Sequence, residues 1–169
     1  MMWFKSINSR GDFIFEKQGL KIFELKFPKW YSHRAVVIFG KSNIEIKPKS
    51  IWKSEYIILK NNQKKGLIIS NWKGEVSIQF FDELNHKHNF QLISKGFLKQ
   101  RFEIYNDKMS LLSIITPTVN WKKISSDYEL ESKANSLEEK HFNELMIYTG
   151  FYVILHKKKA GSSISGGAV

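Results

Sequence analysis

The sequence contains no cysteine, which excludes disulfide bonds, thiolate catalysis and zinc sites built on cysteine. Its ten glycines are scattered, three of them within residues 160–169, so no glycine-rich phosphate-binding loop is present. No Gly-x-Ser-x-Gly motif occurs, and no Ser-x-x-Lys motif lies in a catalytic setting. We therefore predict a non-enzymatic protein without a cofactor, although folding could still assemble a catalytic pair of carboxylates.

The N-terminus lacks a long apolar run, because polar residues follow Met1–Lys5 before a signal-peptide core of about 7–15 apolar residues can form. The apolar segment at residues 145–155 is also shorter than the roughly 20 residues that span a bilayer. We predict no transmembrane span and a cytoplasmic location, with peripheral membrane association as an alternative.

Arginine is scarce. Only Arg10, Arg34 and Arg101 occur among 27 basic residues, and the 16 acidic residues leave a net charge of +11. Phosphate-gripping and base-reading domains commonly use the bidentate guanidinium group of arginine. The lysine excess fits either a solvated surface that keeps the protein soluble or a surface that attracts an anionic partner.

Short apolar runs separated by polar turns make up most of the chain. Val76, Ile78 and Phe80 alternate with polar residues, as on a strand with one buried face. Asn61-Asn62 and Asn106-Asp107 are typical of hairpin turns. The runs indicate a barrel or sandwich of meandering hairpins. The predicted strands are residues 13–16, 20–27, 35–39, 44–47, 56–60, 67–70, 76–81, 89–93, 98–105, 111–115 and 128–131.

A capping box at Ser136–Glu139 predicts a helix over about residues 137–156. Residues 145–155 are apolar around the whole circumference, so this helix must be buried on all sides. Gly150 would let a neighbouring group approach it closely. We predict a single mostly-β domain over residues 1–159, a closed antiparallel barrel of about 11–12 strands around this central helix, followed by a flexible tail over residues 160–169.

This arrangement resembles the tubby-like superfamily, particularly its LURP-one-related and phospholipid-scramblase-like branch. The resemblance covers residues 56–159 at the level of pattern. Its landmarks are Asn71–Gly74, Lys95–Ile104, Asn120–Lys122, Asp127–Leu130 and the helix Leu145–Leu155. It implies a twelve-stranded barrel around a hydrophobic helix. The phosphoinositide-binding motif of tubby proteins and the calcium-binding and cysteine-rich segments of scramblases are not found here.

Histidines and carboxylates occur close together at two places. His86 and His88 alternate on a predicted strand near Asp82 and Glu83, a set that could bind a divalent metal, but a polar hairpin with exposed histidines is the simpler interpretation. His141 and Glu144 are three residues apart on the helix and are interpreted as an exposed surface pair. No metal site is predicted.

The predicted function is a binding or scaffold module whose lysine-rich face engages anionic phospholipid headgroups. The candidate residues are Lys47, Lys49, Lys53, Lys122, Lys123, Lys157, Lys158 and Lys159. One alternative is nucleic-acid binding through Trp30, Tyr31 and Arg34, which mix aromatic and basic groups as single-strand binding platforms do. Another is a structural subunit that docks on a protein partner.

Overall fold

The computed structural model describes residues 1–29, 31, 33–50, 54–96, 100–118, 127–133 and 137–164. These residues form twelve strands and one helix. Every strand pairs antiparallel with its neighbours along the chain, and the first strand pairs with the last, so the sheet closes into a barrel. The prediction of a closed antiparallel barrel with one C-terminal helix is confirmed.

The elements are β1 (Met2–Ser6), β2 (Phe13–Lys17), β3 (Leu20–Lys26), β4 (Ala35–Phe39), β5 (Ser42–Pro48), β6 (Glu55–Lys60), β7 (Gln63–Ser70), β8 (Glu75–Phe81), β9 (Lys87–Lys95), β10 (Arg101–Asn106), β11 (Leu111–Thr118), β12 (Asp127–Ser132) and α1 (Glu139–Ile164). Asn61 and Asn62 both have positive φ, at 50° and 65°, which confirms the predicted hairpin turn between β6 and β7.

Strand alternation directs one set of side chains into the barrel. On β8, Val76, Ile78 and Phe80 are buried, while the residues between them face outward. The same pattern on neighbouring strands lines the interior with aromatic rings, which pack against each other in edge-on, tilted or stacked pairs. The core is therefore the barrel interior.

The strand that closes the barrel was missed, because the sequence patterns predict no strand before residue 13. Met2 and Phe4 point inward, and β1 pairs with both β12 and β2. Five residues carry too little alternation to be recognised as a strand without their partners.

Helix α1 fills the interior, as its apolar circumference predicts. Residues 143–155 are all buried. A Cβ atom added at Gly150 would lie 2.6 Å from Cζ of Phe13, which confirms the predicted close approach at this glycine. The predicted cap residue Ser136 lies outside the described residues. The helix continues to Ile164, so residues 160–164 are helical instead of belonging to a tail; extending a formed helix requires no new nucleation.

The direction of α1 distinguishes the two ends of the barrel. Tyr56 at the start of β6 packs on Phe151, with ring centroids 5.2 Å apart, whereas Lys60 at the end of β6 contacts Glu144. The helix therefore runs antiparallel to β6. We call the end near residues 151–160 of α1 the basic end, and the end near residues 139–144 the histidine end.

Among the described residues, no helix combines the length and the apolar composition needed to cross a membrane.

Candidate functional site

The basic end carries more basic than acidic side chains among the described residues. The odd-numbered strands end here and the even-numbered strands begin here. The basic residues in this region are Arg10, Lys29, Arg34, Lys49, Lys73, Lys95, Arg101, Lys157, Lys158 and Lys159, and the acidic ones are Asp12, Glu45, Glu55, Glu75, Glu103 and Asp127. Glu45 and Glu103 form ion pairs with Arg34 and Arg101. Asp12 is only 4% exposed and accepts a hydrogen bond from the Phe27 backbone, so its carboxylate is largely withdrawn from the surface.

The lysines at the end of α1 contact the barrel wall. The Lys158 ammonium lies 4.2 Å from the Phe27 ring centroid and donates to the Arg10 carbonyl oxygen at 2.8 Å. Lys159 donates to the Tyr56 hydroxyl at 3.2 Å. Burial lowers the pKa of Lys157 and Lys158 below the usual lysine value. These side chains therefore help to cover the barrel end as well as contributing positive charge.

Of the other predicted lysines, only Lys47 and Lys49 lie within the described residues. Lys47 lies on the outer wall of β5, 3.9 Å from Glu45, and Lys49 forms an ion pair with Glu55 at 2.6 Å. Lys53, Lys122 and Lys123 lie outside the described residues.

Of the residues predicted to bind nucleic acid, Tyr31 and Arg34 are described by the structure, and Trp30 lies outside the described residues. Tyr31 is 60% exposed, and its ring centroid is 5.7 Å from the Lys29 ammonium. The Arg34 guanidinium donates to the Glu45 carboxylate at 2.8 Å. This ion pair uses a guanidinium N–H group of Arg34 that was expected to contact a phosphate of the nucleic acid.

Trp72 is a surface residue that sequence reasoning did not include in a site. It is 91% exposed on the turn between β7 and β8. The Asn71 side-chain oxygen accepts hydrogen bonds from the backbone N–H groups of Lys73 and Glu75, so the turn is held in shape. The Lys73 ammonium lies 5.5 Å from the Trp72 ring centroid. The feature of the sequence that could have indicated an exposed ring is the position of Trp72 between the turn residues Asn71 and Gly74.

The histidine end brings together groups from three elements. Asp82 follows β8, His88 lies on β9 and His141 lies in the first turn of α1. One ligand atom from each lies within 4.8 Å of the other two. Oδ2 of Asp82 is 3.1 Å from Nε2 of His88 and 3.7 Å from Nε2 of His141, and 3.4 Å from Nδ1 of His86.

Local structure fixes the orientation of this cluster. Oδ1 of Asp82 accepts backbone hydrogen bonds from Leu84 and His86, both at 2.9 Å, which leaves Oδ2 facing the imidazoles. Burial works to raise the pKa of the Asp82 carboxyl, but these bonds and the one from His88 hold it well below its usual range. The His88 ring is stacked on Phe80, with centroids 5.2 Å apart.

Glu144 and His141 do not form the exposed pair that their spacing predicts. Glu144 is 1% exposed, accepts from the Tyr148 hydroxyl at 2.7 Å and pairs with Lys60 at 3.3 Å. Burial, together with the Glu144 charge, raises the pKa of Tyr148 well above its ordinary value.

The prediction of exposed histidines is likewise wrong for His88, whose side chain is 19% exposed. The fold covers this polar residue, which the sequence alone presents as part of an exposed hairpin.

A pocket of about 420 Å³ opens beside the cluster at the histidine end. Its lining includes His86, His141, Glu138, Lys140 and Glu144. The pocket gives solvent and small ions access to the cluster.

Fold and sites together define a closed twelve-stranded antiparallel barrel filled by its C-terminal helix, with a lysine-rich end and an opposite end containing a histidine–aspartate cluster. Comparison of the chain with protein-family models, with curated protein sequences and with solved structures finds no significant match.

Proposed function

We propose that this protein is a non-enzymatic binding module that attaches through its basic end to anionic phospholipid headgroups at a membrane surface. The observation that carries the proposal is the combination, at one end of the barrel, of excess basic side chains with the exposed Trp72 beside Lys73. Its membership of the tubby-like superfamily and its peripheral location in the cytoplasm stay predictions.

Two contributions to the binding free energy favour the basic end as the membrane-binding surface. Lysines near an anionic leaflet contribute about 1 kcal/mol each through electrostatic attraction. Tryptophan and tyrosine partition to the headgroup region, where an apolar ring and a polar tip are both accommodated. Trp72 and Tyr31 supply such rings on the same end as the lysines.

The test is co-sedimentation of the full chain with phosphatidylcholine vesicles and with vesicles that also contain phosphatidylserine, across a salt series. We expect binding to the anionic vesicles only, weakening as salt rises. The variant K29Q/K49Q/K73Q removes three exposed lysines from the basic end, and we expect it to bind on the order of 10–100-fold more weakly.

The matched control is K41Q/K64Q/K108Q, which removes the same charge from exposed lysines at the histidine end. We expect this variant to bind nearly as well as the native protein. If both variants weakened vesicle binding equally, binding would depend only on the net charge of the protein. That result would overturn the assignment of the lipid-binding surface to the basic end. A second check is Trp72→Ala, which should weaken binding even at high salt if the ring enters the interface.

Nucleic-acid binding is the alternative that the same protein samples can test. If single-stranded oligonucleotides quench tryptophan fluorescence with steep salt dependence while anionic vesicles do not bind, the lipid proposal is wrong.

A further inference from the structure

We propose that Asp82, His88 and His141 form a binding site for a divalent transition-metal ion such as Zn²⁺ at the histidine end of the barrel. This site is distinct from the basic end, and it stands whether or not the protein binds lipid. Two imidazoles and a carboxylate are a donor set that Zn²⁺ and its neighbours in the first transition series accept readily.

The spacing of the donor atoms is compatible with coordination of a single ion. Ligand atoms about 2.0–2.1 Å from a tetrahedral Zn²⁺ lie about 3.3 Å from one another. The distances from Oδ2 of Asp82 to the ring nitrogens of His88 and His141, 3.1 and 3.7 Å, lie on either side of this value. The longer distance exceeds that of a hydrogen bond.

The number of imidazoles around Asp82 also supports a metal site. Ring nitrogens of His86, His88 and His141 lie within 3.7 Å of Oδ2, although a carboxylate oxygen offers only two lone pairs. Side-chain pairing does not require so many nitrogens around one oxygen. A metal ion placed among these groups would take Asp82, His88 and His141 as ligands.

The surrounding contacts hold the ligands in place, as in metal sites generally. The two backbone hydrogen bonds to Oδ1 hold the carboxylate of Asp82, and stacking on Phe80 holds the ring of His88. Nδ1 of His141 lies 3.8 Å from the Glu138 carboxylate, close to where a supporting hydrogen bond to a metal-bound imidazole would form.

The pocket beside the cluster supplies an open coordination position. His86, whose side chain is 70% exposed on the turn, can complete the set from this side, or a water molecule can. A bound ion would join the first turn of α1 to the β8–β9 hairpin, and it would therefore stabilise the docking of the helix in the barrel.

The experiment is calorimetric titration of the full, tag-free chain with Zn²⁺, using Mg²⁺ and Ca²⁺ as comparisons. We expect a single Zn²⁺ per chain with micromolar or tighter affinity, no measurable Mg²⁺ or Ca²⁺ binding, and Co²⁺ absorption bands typical of nitrogen and oxygen ligands. At about a hundredfold excess over Kd, the melting temperature should rise by roughly 5–10 °C.

His88→Gln and His141→Gln should each weaken Zn²⁺ binding by at least about tenfold, while His33→Gln, at the basic end, should leave it unchanged. Circular dichroism establishes that each variant is folded. If His88→Gln disturbs the stacking on Phe80, the result for His141→Gln decides. Absence of Zn²⁺ binding, or binding unaffected by His141→Gln or lost in His33→Gln, would overturn the proposal.

Discussion

Gly150 lies where α1 passes the rings of Phe13 and Phe4. An added Cβ atom would meet the Phe13 ring at 2.6 and 2.9 Å and the Phe4 ring at 3.1 Å. A methyl group therefore cannot enter unless the rings move, and both rings are fully buried.

We predict that Gly150→Ala destabilises the protein by about 1–2 kcal/mol, measured by urea unfolding. Overpacking typically costs about 1–3 kcal/mol, which exceeds the gain of up to about 1 kcal/mol in helix propensity. The double variant Gly150→Ala/Phe13→Leu should lose less stability than the sum of the two single variants, since the smaller side chain makes room. A stabilised Gly150→Ala protein would contradict the packing.

Only part of the cluster around Asp82 could be predicted from the sequence. The sequence places Asp82 near His86 and His88, and this proximity is local. His141 belongs to a distant segment that the sequence presents as a helix surface. Only the insertion of α1 into the barrel brings its ring to Asp82.

Strand β1 closes the barrel, and its contribution lies mainly in Phe4. The Phe4 ring is fully buried and packs on Phe13 and Phe15, with centroids 5.2 and 5.4 Å apart. Without β1, the edges of β2 and β12 would be left unpaired, and unpaired edges promote aggregation.

We expect Phe4→Ala to lower the free energy of unfolding by about 3–5 kcal/mol, because it removes a buried ring and leaves a cavity. The matched control is Phe81→Ala, on the outer face of β8 with 38% of the residue exposed, which should cost about 1 kcal/mol or less. Chemical unfolding followed by circular dichroism compares the two. Similar losses in both variants would mean that β1 contributes little to the core.

Helix α1 was the element most accessible to prediction. Its apolar circumference required burial on all sides, and a closed sheet provides it. The strands other than β1 were recognised within a few residues of their ends because alternation is local. Extension of the helix to Ile164 was not predicted, since the Gly- and Ser-containing composition there favours a flexible chain.

Across the whole molecule, most tyrosines are held away from water. Burial raises the pKa of Tyr128 to about 12, and burial also raises the pKa of Tyr56, Tyr148 and Tyr152. An unfolded tyrosine ionises near pH 10. Because these folded-state pKa values are higher, the unfolded chain releases protons first as the pH rises above about 10.

We therefore expect the free energy of unfolding to fall as pH rises from about 10 towards 12, the stability being fully present below pH 10. At about pH 11, the native protein should show much less tyrosinate absorbance than the same chain in concentrated urea. Ionisation of nearly all six tyrosines in a sample that stays folded by circular dichroism would show that the rings are not buried.

The charge of the molecule follows from composition, but its distribution depends on the fold. The sequence establishes an excess of lysine. Antiparallel pairing then places alternate strand ends on the same end of the barrel, so that Lys73 and Lys158 lie at one end although they are far apart in the chain. The lipid proposal depends on this distribution more than on the net charge.

The sequence by itself determined the β-rich class, the buried C-terminal helix and the absence of cysteine chemistry, because alternation, circumferential hydrophobicity and composition are local properties of a chain. Tertiary structure alone decided that β1 closes the barrel and that His141 meets Asp82 and His88. Those contacts depend on strand register, on ring closure and on the direction in which α1 enters. Each joins residues distant in sequence, and no local pattern encodes such pairings.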